Sequence, residues 1–263
     1  MSNIIAVLVG LGLGILANYL ADILPVRRRL SHPLCLNCGQ PQPLVNYLLW
    51  PRRCTNCQQR RPIRTWVVEA VSIGMALWLW NSPEVQQRLG VVLGGIVLTY
   101  FAVIFIIDYE HRLILHTTSL FGMALGFFVG IKLNGWLNTL LGGAVGYGIM
   151  FGLFYLGFLF TKWMARVKGR AIDEVALGFG DVNLTGELGL MLGWPNVVIA
   201  LFLSVLSAGL VGGGLLLAKI FSRKYRSFML AMPYGPFLLL GAFLMLFLPI
   251  FTQELLKLVS PLF

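Results

Sequence analysis

Four cysteines and two aspartates are the residues of this chain whose types and spacing could do chemistry. The cysteines form two pairs, Cys35-Leu36-Asn37-Cys38 and Cys54-Thr55-Asn56-Cys57, with fifteen residues between them. Two such pairs suit one tetrahedral ion held by four thiolates, and zinc is the ion this donor set takes. Each pair would form a knuckle, with Gly39 supporting the turn after the first. A closed shell of four thiolates leaves no position for water or substrate, so the expected zinc is structural. The segment is too short for a core of its own, and metal binding would supply its folding energy. Two disulfides are the alternative, disfavoured if the segment faces a reducing compartment.

The aspartates stand out because the chain has only ten acidic residues. Asp181 follows Gly178-Phe179-Gly180 at the start of an apolar stretch, and Asp108 ends the apolar run 103–107. An ionisable group at membrane depth is costly and marks a candidate functional site. Two carboxylates sharing a site do not readily both ionise. Such a pair can activate a water molecule, protonate a leaving amine, and so hydrolyse a peptide without a covalent intermediate. It would titrate as a unit. Residue types alone leave a second reading open, in which each aspartate simply ends a helix. Of the other acids, Asp22 sits beside the arginines at 27–29 and is expected to be a charge partner or cap. Glu69 and Glu187 fall inside apolar segments, and Asp173 and Glu174 in a basic loop.

The elements that must position these groups are membrane helices. The chain is 58% hydrophobic and 11% charged, against about 25% charged in a soluble domain. Eight apolar segments can be marked, near 4–24, 66–80, 90–107, 117–133, 136–160, 182–194, 196–220 and 233–251. With the N-terminus outside, alternation leaves only Arg88, Lys132 and Lys257 of the 20 basic residues on the outer side, as the positive-inside rule requires. The sixth segment is short of the ~20 residues a span needs. Omitting it would export the basic cluster at 219–226, so it is kept. The first segment lacks a basic leader and a small-residue cleavage site, and is expected to be a permanent helix. This topology puts the cysteine segment, Asp108 and Asp181 at the cytoplasmic face. It also explains the net charge of +10 without nucleic-acid binding, which is not expected. No inverted repeat supports a transporter. The expected fold is an all-α integral membrane protein of about eight transmembrane helices, with a zinc-binding cytoplasmic insertion between the first two. Its parts would be a first helix (1–24), the cysteine loop (25–65) and a polytopic membrane domain (66–263).

At these residues the chain resembles the bacterial prepilin leader peptidases, polytopic aspartic proteases of the GxGD type. Gly178-Phe179-Gly180-Asp181 is similar to the GxGD motif, and Asp108-Tyr109-Glu110-His111 to the motif of the other aspartate. The cysteine tetrad resembles the family's cytoplasmic zinc loop. Glu69 fits the arrangement after it, and Pro233-Tyr234-Gly235-Pro236-Phe237 resembles the entry to the last span. The resemblance implies that Asp108 and Asp181 are catalytic and that Gly178, Gly180 and Glu110 support the catalytic loops. It implies cleavage of the basic leader of type IV prepilins or pseudopilins at the cytoplasmic face of the inner membrane, after a glycine. N-methylation of the new N-terminus from S-adenosylmethionine can follow. Membrane lipid would surround the helices. Three departures bear on activity. Leu115 stands where the family usually has a proline, Asn183 where a lysine is common, and the first span keeps Asn18 without the usual GSFLN run. They motivate an alternative, a non-proteolytic relative acting as a methyltransferase or pilus-assembly scaffold.

Overall fold

A backbone crossing hydrocarbon must satisfy its own hydrogen bonds, which an apolar segment does as a helix. The computed structural model of the chain describes residues 2–35, 37–48, 52–168, 178–221 and 233–248. In chain order its helices are α1 (Ser2–Arg27), α2 (Leu44–Leu48), α3 (Ile63–Asn81), α4 (Pro83–Arg88), α5 (Val91–His111), α6 (His116–Lys168), α7 (Phe179–Leu192), α8 (Asn196–Phe221) and α9 (Gly235–Phe247). Among the described residues there is no strand, only the isolated bridges Leu34–Pro41 and Arg53–Arg60.

Among the described residues, five helices are long and apolar enough to cross a membrane: Asn3–Arg27, Ile63–Asn81, Val91–His111, His116–Met164 and Asn196–Ala218. The fourth has 49 residues, or ~73 Å of helix at 1.5 Å per residue, more than twice a bilayer core. Its backbone leaves helical geometry at Gly135, where φ is 77°, between the fourth and fifth apolar segments of the sequence. The short α7 (14 residues) and α9 (13 residues) carry the sixth and eighth.

The chain divides into two units, 1–117 and 118–263. In the first, α1 packs against α3 and α5. Glycine makes the α1–α3 crossing close: a Cβ on Gly10 would lie 2.7 Å from the Ile73 Cα, and one on Gly14 2.9 Å from the Glu69 Cα. Small residues at a spacing of four let membrane helices approach in this way. Ala17, Ala21, Val103, Ile106, Ile107 and Leu115 form a buried cluster in this unit. In the second unit α9 packs on α7 and α8. There α6 and α7 meet backbone to backbone, and a Cβ on Gly142 would sit 2.4 Å from the Gly189 carbonyl oxygen.

Candidate functional site: a cysteine cluster and two helix-end aspartates

The two cysteine pairs fold as matching knuckles. Cys35 N–H donates to the Gln40 carbonyl (2.9 Å) and Gly39 N–H to the Cys35 carbonyl (2.9 Å). The same pattern recurs as Cys54 to Gln59 (3.0 Å) and Gln58 to Cys54 (3.1 Å). The turn needs a left-handed residue four places after the leading cysteine. Gly39 supplies it at φ 70°, and Gln58 at φ 58° takes it without glycine's freedom. The knuckles bring all four Sγ atoms within 4.8 Å of one another. Cys35 and Cys57 are 3.5 Å apart, and Cys38 and Cys54 are 3.6 Å apart. Four sulfurs at 2.3 Å from a tetrahedral zinc would be ~3.8 Å apart, so the cluster fits the ion. No disulfide joins the cysteines.

Their protonation reflects the crowding. N–H groups of Cys57 and Asn56 draw the Cys54 thiol down to about 6. The Gln40 N–H favours the Cys38 thiolate, but desolvation and the neighbouring sulfurs outweigh it and push that thiol up to about 11. The thiols of Cys35, Cys38 and Cys54 titrate together. A zinc ion would hold all four as thiolates.

Ion pairs fasten this loop to the membrane helices. The Asp22 carboxylate, near the end of α1, accepts from the Arg61 guanidinium (2.5 Å), from Arg64 and from the Tyr47 hydroxyl. Arg61 also stacks over the Tyr47 ring at 4.0 Å and donates to the Tyr47 carbonyl at 3.3 Å. Burial, with Asp22 beside it, pushes the Tyr47 phenol well above its ordinary value. A second buried pair joins Arg52 to Glu69 at 2.8 Å, with Arg52 over the Trp66 ring at 4.5 Å. Asp22 is thus a charge partner, though of Arg61 and Arg64 rather than of the adjacent arginines at 27–29, and Glu69 is the anchor of the second knuckle.

Asp108 lies on the last turn of α5 and is buried, with 5% of its surface exposed. The turn ends at Arg112, which adopts φ 53° and donates its N–H to the Asp108 carbonyl at 2.8 Å. Glu110, two residues on, pairs with Arg64 at 2.5 Å. Asp181 is buried to 9% exposure in the first turn of α7. Its carboxylate accepts the Gly178 N–H at 3.2 Å, and its own N–H bonds the Gly178 carbonyl at 3.1 Å. Gly178 thus starts the helix and is held by the aspartate it precedes. The Tyr234 phenol, at the entry to α9, lies within electrostatic reach of Asp181. Asp108 belongs to the first unit and Asp181 to the second.

The sequence model of the type IV leader peptidase family matches residues 95–213, a stretch that contains both aspartates. A prepilin leader peptidase/N-methyltransferase of Pectobacterium carotovorum is 30% identical over 244 residues, covering 78% of this chain and 81% of the relative. The chain belongs to the type IV leader peptidase family. The enzyme of the same name from Pseudomonas putida is 28% identical over 223 residues, covering 80% of this chain and 69% of that protein. One from Aeromonas hydrophila is 25% identical over 244 residues, covering 84% and 73%. No solved structure matches the chain.

Within this leader-peptidase sequence the departures have visible local consequences. Leu115 fills the core around Ile106 and Ile107, and the left-handed Arg112 ends α5 where the family usually carries a proline nearby. Asn183 is half-buried on the first turns of α7. Asn18 is fully buried and donates to the Thr65 carbonyl at 3.1 Å, joining α1 to α3. Glu110 pairs with Arg64; Asp173 and Glu174 lie outside the described residues. Sequence reasoning treated the loop arginines as topology signals and missed Arg52, Arg61 and Arg64 as structural partners. Asp22, Glu69 and Glu110 each called for a counter-charge, but nothing local in the sequence says which arginine supplies it.

Proposed function

We propose that this chain is an integral-membrane aspartic endopeptidase that removes the basic leader of type IV prepilins or pseudopilins. Asp108 and Asp181 would act together on one scissile bond at the cytoplasmic face, and the eight apolar segments would each cross the inner membrane. What carries the reading is that both aspartates are buried at helix ends in a chain of this family. Support from Gly178, Gly180 and Glu110 is part of the same reading.

In the reaction, the carboxylate pair shares one proton. The ionised carboxylate takes a proton from water as the water oxygen attacks the scissile carbonyl carbon, and the protonated partner hydrogen-bonds the carbonyl oxygen. Collapse of the tetrahedral intermediate breaks the C–N bond, with a proton passing to the leaving amine. The amine is the new N-terminus of the pilin. The cysteine cluster would hold zinc as a structural ion, fixing the loop against α1 and α3.

The relatives' names add N-methyltransferase activity, which we extend to this chain. S-adenosylmethionine would supply the methyl group. A cleft of about 280 Å³ lies beside the cysteine loop. Arg60 offers a partner for a carboxylate, and Asn37, Gln42 and Gln59 offer amides for an adenine edge. The exposed apolar residues of α6 and α8, such as Phe128, Leu156, Phe202 and Leu210, would face lipid or the substrate's own helix. Family membership favours this reading over a non-proteolytic scaffold. Mass spectrometry of a prepilin co-expressed with the protein tests it. The expected product is cut after a glycine and carries an added methyl group. An uncut leader would overturn the peptidase reading.

A further inference from the structure

The last turn of a helix is its weakest part, because its carbonyls lack intrahelical partners and its residues fray. Asp108 sits on such a turn. Beyond the packing of Ile106 and Ile107, two polar contacts help tie it down. One is the Arg112 N–H on the Asp108 carbonyl, at 2.8 Å. The other is the Glu110 carboxylate on the Arg64 guanidinium, at 2.5 Å. Arg64 is itself positioned. Its second Nη grips Asp22, which the loop holds from the other side through Arg61 (2.5 Å) and the Tyr47 hydroxyl. The side chain of Arg64 is 18% exposed and that of Asp22 is 9% exposed, so water competes little for their contact. The chain of contacts runs from the cysteine loop through Tyr47 and Arg61 to Asp22, then through Arg64 to Glu110 and the turn of Asp108.

We propose that Arg64 is a positioning residue for peptide cleavage: it clamps Glu110, and with it the turn carrying Asp108, in register with the cysteine-bearing loop. The inference rests on the catalytic reading of Asp108. Glu110 and Asp108 are two residues apart and do not face each other on a helix. Arg64 therefore acts through the backbone of the turn and not by direct contact with the Asp108 carboxylate. The fork of the guanidinium is required. It holds Asp22 with one nitrogen and Glu110 with the other, which a single ammonium cannot reproduce in that geometry. A catalytic group that drifts by about 1 Å can lose up to ~100-fold in rate, so a partly released turn costs turnover while leaving the binding of the substrate helix alone.

The test compares Arg64→Met, Arg64→Lys, Glu110→Gln and the Arg64→Met/Glu110→Gln double variant on a purified prepilin, at equal amounts of folded protein. Amide hydrogen exchange over 105–112 is followed in parallel. Both single variants, and Arg64→Lys, are expected to lower kcat about tenfold with KM within about twofold. Exchange over 105–112 should accelerate, and the double variant should be no worse than Arg64→Met. Glu110→Gln leaves the Arg64–Asp22 contact in place, so it decides the matter even if Arg64→Met fails to fold. Wild-type kcat in Glu110→Gln, or single effects that multiply in the double variant, would overturn the clamp. Asp108→Asn is run alongside. If it still cleaves, the catalytic reading itself fails, a result distinct from failure of the clamp.

Discussion

Asp22→Asn should free the cysteine-bearing loop from the membrane helices. The carboxylate is 9% exposed and meets two guanidiniums and a phenol. Removing one partner of a buried ion pair costs about 3–5 kcal/mol, because the other charge is left uncompensated. Arg64 would keep Glu110, so its loss is partial. Arg61 would keep only the Tyr47 carbonyl, hydroxyl and ring. The lower end, about 3 kcal/mol, is therefore expected, or a roughly 150-fold larger population of open loop. Native-state hydrogen exchange over 28–62 in detergent or nanodiscs reads this directly. Glu110→Gln is the comparison. It breaks a pair whose acid is 36% exposed, and such pairs contribute up to about 1 kcal/mol. Loop protection in Asp22→Asn within ~0.5 kcal/mol of wild type would refute the argument, as would an effect no larger than that of Glu110→Gln.

The knuckles make a paired prediction. Gly39→Ala should weaken the loop by about 1 kcal/mol through backbone strain alone, since a Cβ there meets nothing within 4 Å. Gln58→Gly should strengthen it by up to about 1 kcal/mol, and chelator-induced unfolding measures both. In the second unit, Gly142→Leu forces a Cβ to 2.4 Å from the Gly189 carbonyl and should lower the melting temperature by the equivalent of about 1–3 kcal/mol or more. For Tyr47, the folded state raises the phenol above its unfolded value of 10.0. The unfolded chain therefore gives up this proton first. Loop stability from this source is fully present below about pH 10 and is lost as pH rises beyond it. Tyr47→Phe should remove that slope in a pH series of loop exchange.

Much of the fold was legible because the bilayer leaves few options. Among the described residues each of the eight apolar segments is built on a helix, although the third, sixth and eighth run past the ends of α5, α7 and α9, and the boundary between the fourth and fifth coincides with the positive φ of Gly135. The cysteine cluster was legible for a similar reason, since two knuckles at that spacing have one simple use. Less legible were features set by tertiary pairing. Nothing local in Arg64 says that it bridges Asp22 and Glu110, 42 and 46 residues away along the chain. Arg52 also gave no hint that it would take φ 58° to reach Glu69. The role of Leu115 was hidden too, because the missing proline was visible but the core its replacement fills was not. Asp181 was placed at the start of an apolar segment, and the structure puts it one step further in, on the first turn of a helix that its own carboxylate helps to begin.

The central claim is that Asp108 and Asp181 cut a peptide bond together. Cleavage of a purified prepilin by wild type, Asp108→Asn and Asp181→Asn in nanodiscs tests it, with melting temperature and bound zinc measured on the same samples. The account predicts that each variant keeps its fold and its metal content and loses cleavage, because the reaction needs an ionised carboxylate to activate water and a protonated one to polarise the scissile carbonyl. Cleavage at a rate near wild type by either variant would contradict it.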